Sequence, residues 1–185
     1  MQIPTLENQI VRLSPLELAH VELLSPIASQ DRLIAYSPSN ISTFSTLEEY
    51  IKDALMQYKL QTSIPFIIFD KRKMTHAGST RFMHIDWTNK ILHIGSTWIG
   101  KEFQGTGLNT AMKELMLDYA FNTMNFEKVE FRIDELNIKS RKAVEKLGAQ
   151  LEGILRENVY LLDGFKRNTC CYGLLKKEWA NSYNL

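Results

Sequence analysis

Apolar positions recur along this chain with two alternating periods, and the changes of period divide it into strands and helices. Alternation of apolar and polar residues indicates a strand, and recurrence every three or four residues indicates a helix. The pattern predicts seven strands, at residues 9–13, 64–69, 77–85, 90–99, 128–133, 149–161 and 165–175. It predicts four helices, at residues 15–29, 46–60, 105–122 and 137–147.

Short local signals predict where several of these elements begin and end. Ser14 followed by Pro15 is a helix cap with Pro at the first helical position, so the first helix should start there. Thr46 is suited to cap the second helix. Gly148 fits the left-handed position after a helix, and Asp163 with Gly164 predicts a tight hairpin between the last two strands.

The order of elements, β-α-α-β-β-β-α-β-α-β-β, predicts an α/β fold of the α+β type. The strand–helix–strand unit of residues 91–133 is a crossover connection, which makes one strand pair parallel. We therefore expect a mixed, mostly antiparallel seven-stranded sheet with four helices. The chain has 185 residues and lacks internal repeats and Gly/Ser-rich linkers, so residues 1–185 should form a single domain.

Charge and composition restrict the partners that this chain can have. Its 22 Lys and Arg residues nearly balance its 21 Asp and Glu residues, so we expect no direct nucleic-acid binding and no membrane binding. It has no apolar run of about 18 residues and no signal-peptide pattern at its start. Cys170 and Cys171 are adjacent, should point to opposite faces of a strand and lack metal-ligand spacing. These features favour a cytoplasmic protein without a disulfide or a metal.

A glycine-rich segment between the fourth strand and the third helix is the first chemical signal. Gln104–Thr110 contains Gly105 and Gly107, which permit a tight turn and a close approach of the backbone to a ligand. The N–H groups of the following helical turn would point at a phosphate or pyrophosphate. A plain glycine-rich helix start fits the segment equally well. It has neither the third glycine of a dinucleotide site nor the Gly-Lys-Ser/Thr ending of an NTP-binding loop.

A second segment, at residues 137–149, carries a family resemblance. It resembles the Asn-x-x-Ser-x-x-x-x-Glu-Lys-x-Gly-Phe segment of the GCN5-related N-acetyltransferases, and it follows the glycine loop by one strand, as in that family. Residues 4–16, 153–156, 163–169 and 178–179 resemble the ribosomal-protein N-acetyltransferase-like (RimJ/RimL-like) branch. Two residues depart from the pattern: Asn109 replaces a small residue, and Ala149 replaces the usual Phe.

The resemblance implies a fold, a co-substrate and a binding site. The parallel strands would splay into a V-shaped gap, and acetyl-CoA would bind there without a metal. Its pyrophosphate would lie on the loop N–H groups, and its pantetheine arm would pair with residues 94–99. One of Lys139, Arg141 and Lys142 would meet the adenosine 3′-phosphate, unless they form only a solvated helix face. The implied cofactor-binding residues are Trp98, Ile99, Gln104, Gly105, Thr106, Gly107, Leu108, Asn109, Thr110, Asn137, Ser140 and Arg141.

Two residues are predicted to act in catalysis. Ser140 would protonate or hydrogen-bond the departing CoA thiolate, although a local backbone hydrogen bond also explains it. Glu130 is a candidate base for the acceptor amine, and Asp134, His84 and His93 are further candidates. The row of Glu130, Arg132 and Asp134 on one strand face is more often only a half-exposed strand face. Because the motifs contain no nucleophile, we expect direct transfer rather than an acetyl-cysteine intermediate.

The acceptor, the assembly and two other functions stay open at this point. The acceptor would be a protein N-terminal α-amine or a small amine metabolite, and residues 29–45 with the last hairpin should shape its site. The chain would act as a monomer or a homodimer. A CoA-binding module without catalysis and a protein that binds ATP or NAD through residues 104–110 are the alternatives.

Overall fold

A computed structural model describes residues 4–182, which form one eight-stranded sheet flanked by helices. The strands are β1 (Leu6–Glu7), β2 (Val11–Pro15), β3 (Ser63–Asp70), β4 (Thr75–Asp86), β5 (Ile91–Ile99), β6 (Lys128–Asp134), β7 (Gln150–Tyr160) and β8 (Lys166–Leu175). The helices are α1 (His20–Ala28), α2 (Phe44–Lys59), α3 (Leu108–Asp118), α4 (Ile138–Glu145) and α5 (Lys176–Ser182). A 3₁₀ turn (Lys101–Phe103) precedes α3, and a π-helical turn (Tyr119–Thr123) extends it.

The strand order in the sheet is β1-β2-β3-β4-β5-β6-β8-β7. The β5–β6 pair is parallel and the other neighbouring pairs are antiparallel, which confirms the mixed, mostly antiparallel α/β fold. The predicted count of seven strands was wrong. The additional strand, β1, has only two residues, which pair with Leu13 and Arg12 and are too few to show alternation. A fifth helix, α5, was also missed; it has seven residues and begins directly after β8.

The first helix begins later than its cap signal predicted. Pro15 is the last residue of β2 and lies opposite Phe66, and the Leu16 N–H donates to the Pro65 carbonyl. Pairing with β3 therefore uses the residues that were expected to start the helix, and α1 begins at His20. The second helix, by contrast, begins earlier than expected. Thr43 is its cap: the Thr43 hydroxyl accepts from the Thr46 N–H, and the Thr46 hydroxyl accepts from the Thr43 N–H, which forms a capping box.

Two buried apolar clusters cover the two faces of the sheet. Helices α3, α4 and α5 pack on one face, and α1 and α2 pack on the other. On β6, Val129 and Phe131 belong to the cluster under α3, so the alternate residues of that strand face the α1/α2 side. This alternation decides which face of the sheet receives each candidate site residue.

The structure also bears on the membrane and cysteine expectations. Within residues 4–182, no helix combines the length and the apolar character that a bilayer crossing needs. Both cysteines are free thiols: Cys170 is buried under the α3 face, and Cys171 is partly exposed.

Candidate active site

The parallel strands β5 and β6 pair over only three residues and then separate. The pairs join residues 91–93 of β5 to residues 128–130 of β6, and the remaining residues of the two strands do not pair with each other. A bulge lies in β5 between Gly95 and Trp98, where two residues oppose Thr80 of β4 and Ser96 takes a positive φ of 47°. The bulge bends β5 where the strands part, and the sheet opens into a gap.

The glycine loop lies after β5 and leads directly into α3. Gly105 and Gly107 have φ values of 73° and 85°, which a glycine adopts without strain. A Cβ atom added at either glycine would meet no other atom within 4 Å, so the space above the loop is open. Gly107 is the residue before the helix and has no side chain to cap α3. The Leu108 N–H donates a long hydrogen bond, of 3.5 Å, to the Thr106 hydroxyl. The loop therefore has the open space and the N–H groups of a helix N-terminus that a phosphate group requires.

Two basic residues beside this loop, Arg72 and Lys73, were not among the predicted site residues. Arg72 donates to the Thr106 carbonyl at 3.0 Å, and Lys73 donates to the Glu102 carbonyl at 2.8 Å. Arg72 is held in turn by Asp70, whose carboxylate it meets at 2.9 Å. The turn between β3 and β4 thus supports the loop and places two cations beside it.

Asp70 is the anchor of this support. Its side chain is fully buried and accepts hydrogen bonds from the backbone N–H groups of Arg72 and Lys73 as well as from the Arg72 guanidinium. Burial opposes ionisation, but these hydrogen bonds outweigh it and hold the pKa of Asp70 below its usual value. The carboxylate is therefore charged at neutral pH and keeps Arg72 in place.

The second predicted motif begins α4 on the α3 side of the sheet. The Asn137 side chain accepts a hydrogen bond from the Ser140 N–H at 3.2 Å, so Asn137 is the predicted helix cap. Arg141 is turned inward, where it donates to the Tyr172 hydroxyl and the Glu135 carbonyl, each at 3.0 Å. Lys139 and Lys142 are exposed. Of the three basic residues considered for the 3′-phosphate, Arg141 is thus engaged with other protein groups and the two lysines are exposed.

Glu130 lies on the α1/α2 side, at the last paired position before the gap. Its carboxylate meets Lys128 at 3.0 Å and Arg132 and His93 at 3.1 Å. Burial disfavours the charged carboxylate, but Lys128 and the other partners outweigh it and lower the pKa of Glu130. Burial also lowers the pKa of His93 to about 4, so the imidazole is neutral at pH 7. His84 stacks edge-on against the His93 ring.

A cluster of buried polar groups borders the far end of β6 on the same side. Asp134 pairs across the ladder with Thr169. Burial lowers the pKa of Arg167, and the nearby Asp134 carboxylate opposes part of that shift. One polar atom of each side chain, Asp134 Oδ2, Arg167 Nε and Thr169 Oγ1, has no hydrogen-bond partner within the described residues. Buried polar atoms are usually paired, so this polar cluster has the character of a binding site.

The polar cluster joins the two segments that were expected to shape an acceptor site. Arg167, on the last hairpin, donates a 2.6 Å hydrogen bond to the Tyr36 carbonyl in the loop before α2.

Trp98 packs in the cluster of α1 and α2, and its buried indole N–H has no partner in residues 4–182. Ile99 is half-buried beside it, and its carbonyl accepts from the Gln104 side chain at 3.4 Å.

The predicted site residues therefore fall on two sides of the gap. The glycine loop, Asn137 and Ser140 belong to α3 and α4, and Glu130 and Asp134 face α1 and α2. No group of three or more potential metal-ligating side chains was found in residues 4–182. The sheet thus has an opening, and a loop suited to bind phosphate lies on one side of it. This arrangement suits an enzyme that transfers a group from a phosphate-bearing donor to an acceptor.

Comparison with known proteins identifies this class. The family described as "Acetyltransferase (GNAT) domain" matches residues 11–150. The chain therefore belongs to the GNAT acetyltransferase family, and the predicted family is confirmed. It is an acetyl-CoA-dependent acyltransferase.

Individual relatives agree with this membership. The chain is 31% identical over 180 residues to the "Putative ribosomal N-acetyltransferase YdaF" of Bacillus subtilis, covering 93% of this chain and 94% of that protein. The structure of a GCN5-related N-acetyltransferase from Brucella melitensis superimposes with a TM-score of 0.86 at 26% identity, covering 97% of this chain and 82% of that one. A spermidine N-acetyltransferase from Vibrio cholerae, solved with CoA and spermine, shares the fold, with a TM-score of 0.76 at 20% identity and coverage of 94% and 100%.

Proposed function

We propose that the chain transfers an acetyl group from acetyl-CoA directly to a primary amine, and that the amine is the N-terminal α-amine of a protein or peptide. The observation that carries the proposal is the gap between β5 and β6. The glycine loop follows one of its strands, and the polar cluster lies at the end of the other.

On the donor side, backbone groups make most of the contacts. The N–H groups of Gly105–Thr110 bind the pyrophosphate, with Arg72 and Lys73 adding positive charge beside them. Backbone N–H groups at Trp98 or Ile99 polarise the thioester carbonyl, and Asn137 contacts the pantetheine arm while it caps α4. Ser140 hydrogen-bonds the sulfur as it becomes a thiolate.

On the acceptor side, a carboxylate takes the proton that the amine must lose before it attacks. Glu130 and Asp134 are the two candidates, acting directly or through water. The cationic partners that lower the pKa of Glu130 make it a weaker base, whereas Asp134 keeps one oxygen without a partner in the described structure. This contrast favours Asp134 as the group in contact with the amine and Glu130 as a more distant acceptor of the proton.

The charges on this side favour a peptide α-amine over a polyamine. Glu130 meets Lys128 and Arg132, and Asp134 lies near Arg167, so both acidic groups already have cationic neighbours. A polyamine with several positive charges would need unpaired carboxylates. A peptide N-terminus brings one amine and neutral carbonyl groups. The Arg167 Nε–H and the Thr169 hydroxyl, which have no hydrogen-bond partner within residues 4–182, can bind those carbonyl groups. Similarity to a protein named as a ribosomal N-acetyltransferase supports the same choice.

The test combines a binding measurement with an acceptor screen. Calorimetry should show saturable binding of acetyl-CoA and none of ATP or NAD, which separates the proposal from a nucleotide-binding function. Acetyl-CoA consumption should then be highest with peptides that have a free N-terminus and should be lost with the same peptides blocked at that position. Turnover with spermidine but with no peptide would contradict the acceptor, and binding without turnover on any amine would contradict acetyl transfer.

A further inference from the structure

A buried lysine lies in the gap and has no role in the assignments above. Lys113 on α3 is only 6% exposed, and its Nζ donates a 2.9 Å hydrogen bond to the Thr97 hydroxyl of β5. The same Nζ lies 5.8 Å from the centre of the Phe131 ring of β6. The Lys113 amine thus lies between β5 and β6, the two strands that border the gap, and it reaches the gap from the α3 side.

Lys113 has few partners for a buried cation. An ammonium has three N–H donors, and the Thr97 hydroxyl is its one hydrogen-bond partner in the described part of the chain. Thr97 shares a second hydrogen bond, of 2.7 Å, with the Thr80 hydroxyl of β4. The two residues that Lys113 meets in this network, Thr97 and Thr80, are therefore uncharged. A buried lysine is normally paired with a carboxylate or with several acceptors, because burying an uncompensated charge is costly. Lys113 therefore has donors to spare inside the gap.

The surroundings also set the acidity of this amine. Burial is the sole cause that lowers the pKa of Lys113 to about 7. The packed strands present Thr80, Thr97 and Phe131 to it, whereas the charged pair of His93 and Glu130 lies on the other face of β5 and β6. An acid with this pKa is partly protonated at neutral pH and can protonate a thiolate, whose conjugate thiol has a pKa of about 8.5.

We propose that Lys113 is the acid that protonates the CoA sulfur when the acetyl group leaves, while Ser140 hydrogen-bonds the same sulfur. This inference rests on the proposed acetyl transfer. The amine nitrogen bonds to the acetyl carbon, the carbon–sulfur bond breaks, and its electron pair stays on sulfur. The Lys113 ammonium gives its proton to that sulfur and becomes a neutral amine, which solvent reprotonates. The surplus proton of the acceptor nitrogen leaves through the carboxylates on the opposite face.

The first test is Lys113→Met, which keeps an unbranched side chain that reaches to the position of the lysine Cε and removes the ammonium group. We expect kcat to fall about ten- to a hundredfold. The acetyl-CoA Kd should change by less than about threefold, because the interaction forms mainly as the sulfur becomes negative. Lys177→Met, at an exposed position on α5, is the control and should keep the wild-type values.

The pH profile gives a signature that altered packing would not produce. In single-turnover reactions the wild-type rate should fall as the pH rises past the pKa of Lys113, because the required ammonium is lost. Lys113→Met should lack this alkaline decline. It should keep the acidic limb, which reports loss of the proton from the acceptor amine or its base.

Thermal unfolding separates catalysis from structural support. Folding lowers the pKa of Lys113 from 10.5 to about 7, so the protonated form destabilises the native state. That penalty is complete below pH 7 and fades as the pH rises toward 10.5. Lys113→Met should therefore raise Tm, most clearly at or below neutral pH. A lysine that serves only structure would give a lower Tm and an unchanged kcat.

The double variant with Ser140→Ala tests whether both residues act on one sulfur. We expect a loss of kcat smaller than the product of the two single losses, since groups that serve one atom are not additive. Fully multiplicative losses, or wild-type kcat with an intact alkaline limb in Lys113→Met, would overturn the role of Lys113 and leave acetyl transfer intact. Absence of acetyl-CoA binding by the wild-type protein would instead overturn the proposed function itself.

Discussion

At the scale of single residues, Gly107 tests the phosphate-binding loop. A Val side chain there would fill the open space above the loop, because among the described residues only Gly107 itself and its two chain neighbours have atoms within 4 Å of the new Cβ. It would also force a φ of 85° on a β-branched residue, which costs about 1–2 kcal/mol. We expect Gly107→Val to weaken acetyl-CoA binding at least tenfold by calorimetry. Thr106→Ala should have a much smaller effect, since the backbone and not the hydroxyl is the donor.

The matched control for Gly107 is Gly164 in the last hairpin. Its φ is 84°, and its added Cβ would likewise meet no atom within 4 Å. Gly164→Val should therefore lower Tm about as much as Gly107→Val and leave the acetyl-CoA Kd unchanged. Equal affinities for wild type and Gly107→Val would show that the loop does not hold the pyrophosphate.

At the scale of an element, the cap of α4 links stability to the site. Removing the Asn137 side chain leaves the Ser140 N–H without its partner, and such a loss costs on the order of 1 kcal/mol. Asn137→Ala should lower Tm by roughly 2–4 °C and also weaken acetyl-CoA binding. Thr43→Ala, which removes the cap of α2, should give a similar Tm loss with normal affinity. If the two variants bind acetyl-CoA equally well, Asn137 is a cap and nothing more.

Asp70 anchors the turn between β3 and β4, so we expect both the free energy of unfolding and the affinity for acetyl-CoA to depend on it. Because folding lowers the pKa of Asp70 below 3.8, its contribution is present above about pH 4 and is lost as the pH falls through the folded-state value. Asp70→Asn should lower the free energy of unfolding at pH 7 by about 1–3 kcal/mol and reduce its decline in acid. It should also weaken acetyl-CoA binding, since Arg72 loses its anchor.

Asp86, the last residue of β4, provides the comparison for Asp70. Hydrogen bonds from Asn89 hold the pKa of Asp86 below its usual value, and in residues 4–182 no hydrogen bond or ion pair joins residues 86–90 to the glycine loop. Asp86→Asn should thus reduce the acid sensitivity of folding and leave acetyl-CoA affinity unchanged. Chemical unfolding at several pH values, together with calorimetry, measures both effects. Normal affinity in Asp70→Asn would contradict the proposed support of the loop.

Element boundaries show what the local sequence pattern could and could not predict. The apolar stripe of α2 and the alternation of β6 are visible in the sequence itself, so both elements could be predicted. The parallel pair could be predicted from the strand–helix–strand order of β5, α3 and β6. Pro15 misled the prediction because it satisfies both a helix start and a strand end, and pairing with β3 decided between them. The two-residue β1 depends entirely on its partner strand and has no signal of its own.

At the scale of the whole molecule, motifs revealed the loop and α4 but not the residues that support them. Arg72 reaches Thr106 across 34 positions, and such a contact follows from the sheet rather than from spacing. The burial of Lys113, by contrast, could have been predicted from the sequence. Met116, Leu117 and Ala120 follow it at helical spacing and lie on the buried face of the α3 segment. A charge placed among such residues is a signal for a buried group. Arg167 and Tyr36, by contrast, are joined only by the complete fold.

The complete arrangement also predicts how the two substrates react. Cys170 is buried in the core and burial raises the pKa of its thiol, so it is a poor nucleophile. Cys171 faces the acceptor side, but its sulfur is engaged by Arg132 at 3.0 Å and it lies outside both motifs. In the proposed arrangement donor and acceptor enter from opposite faces, so both should be bound before transfer.

Initial rates measured while both substrates are varied should therefore give intersecting lines. Cys171→Ser should keep at least about half of the wild-type kcat, since a hydroxyl can replace the thiol beside Arg132 without becoming an acetyl carrier. Intact-mass measurement after incubation with acetyl-CoA alone should show an unmodified chain. Parallel lines, together with an added acetyl group that disappears in Cys171→Ser, would mean that the acetyl group passes through that sulfur and that transfer is not direct.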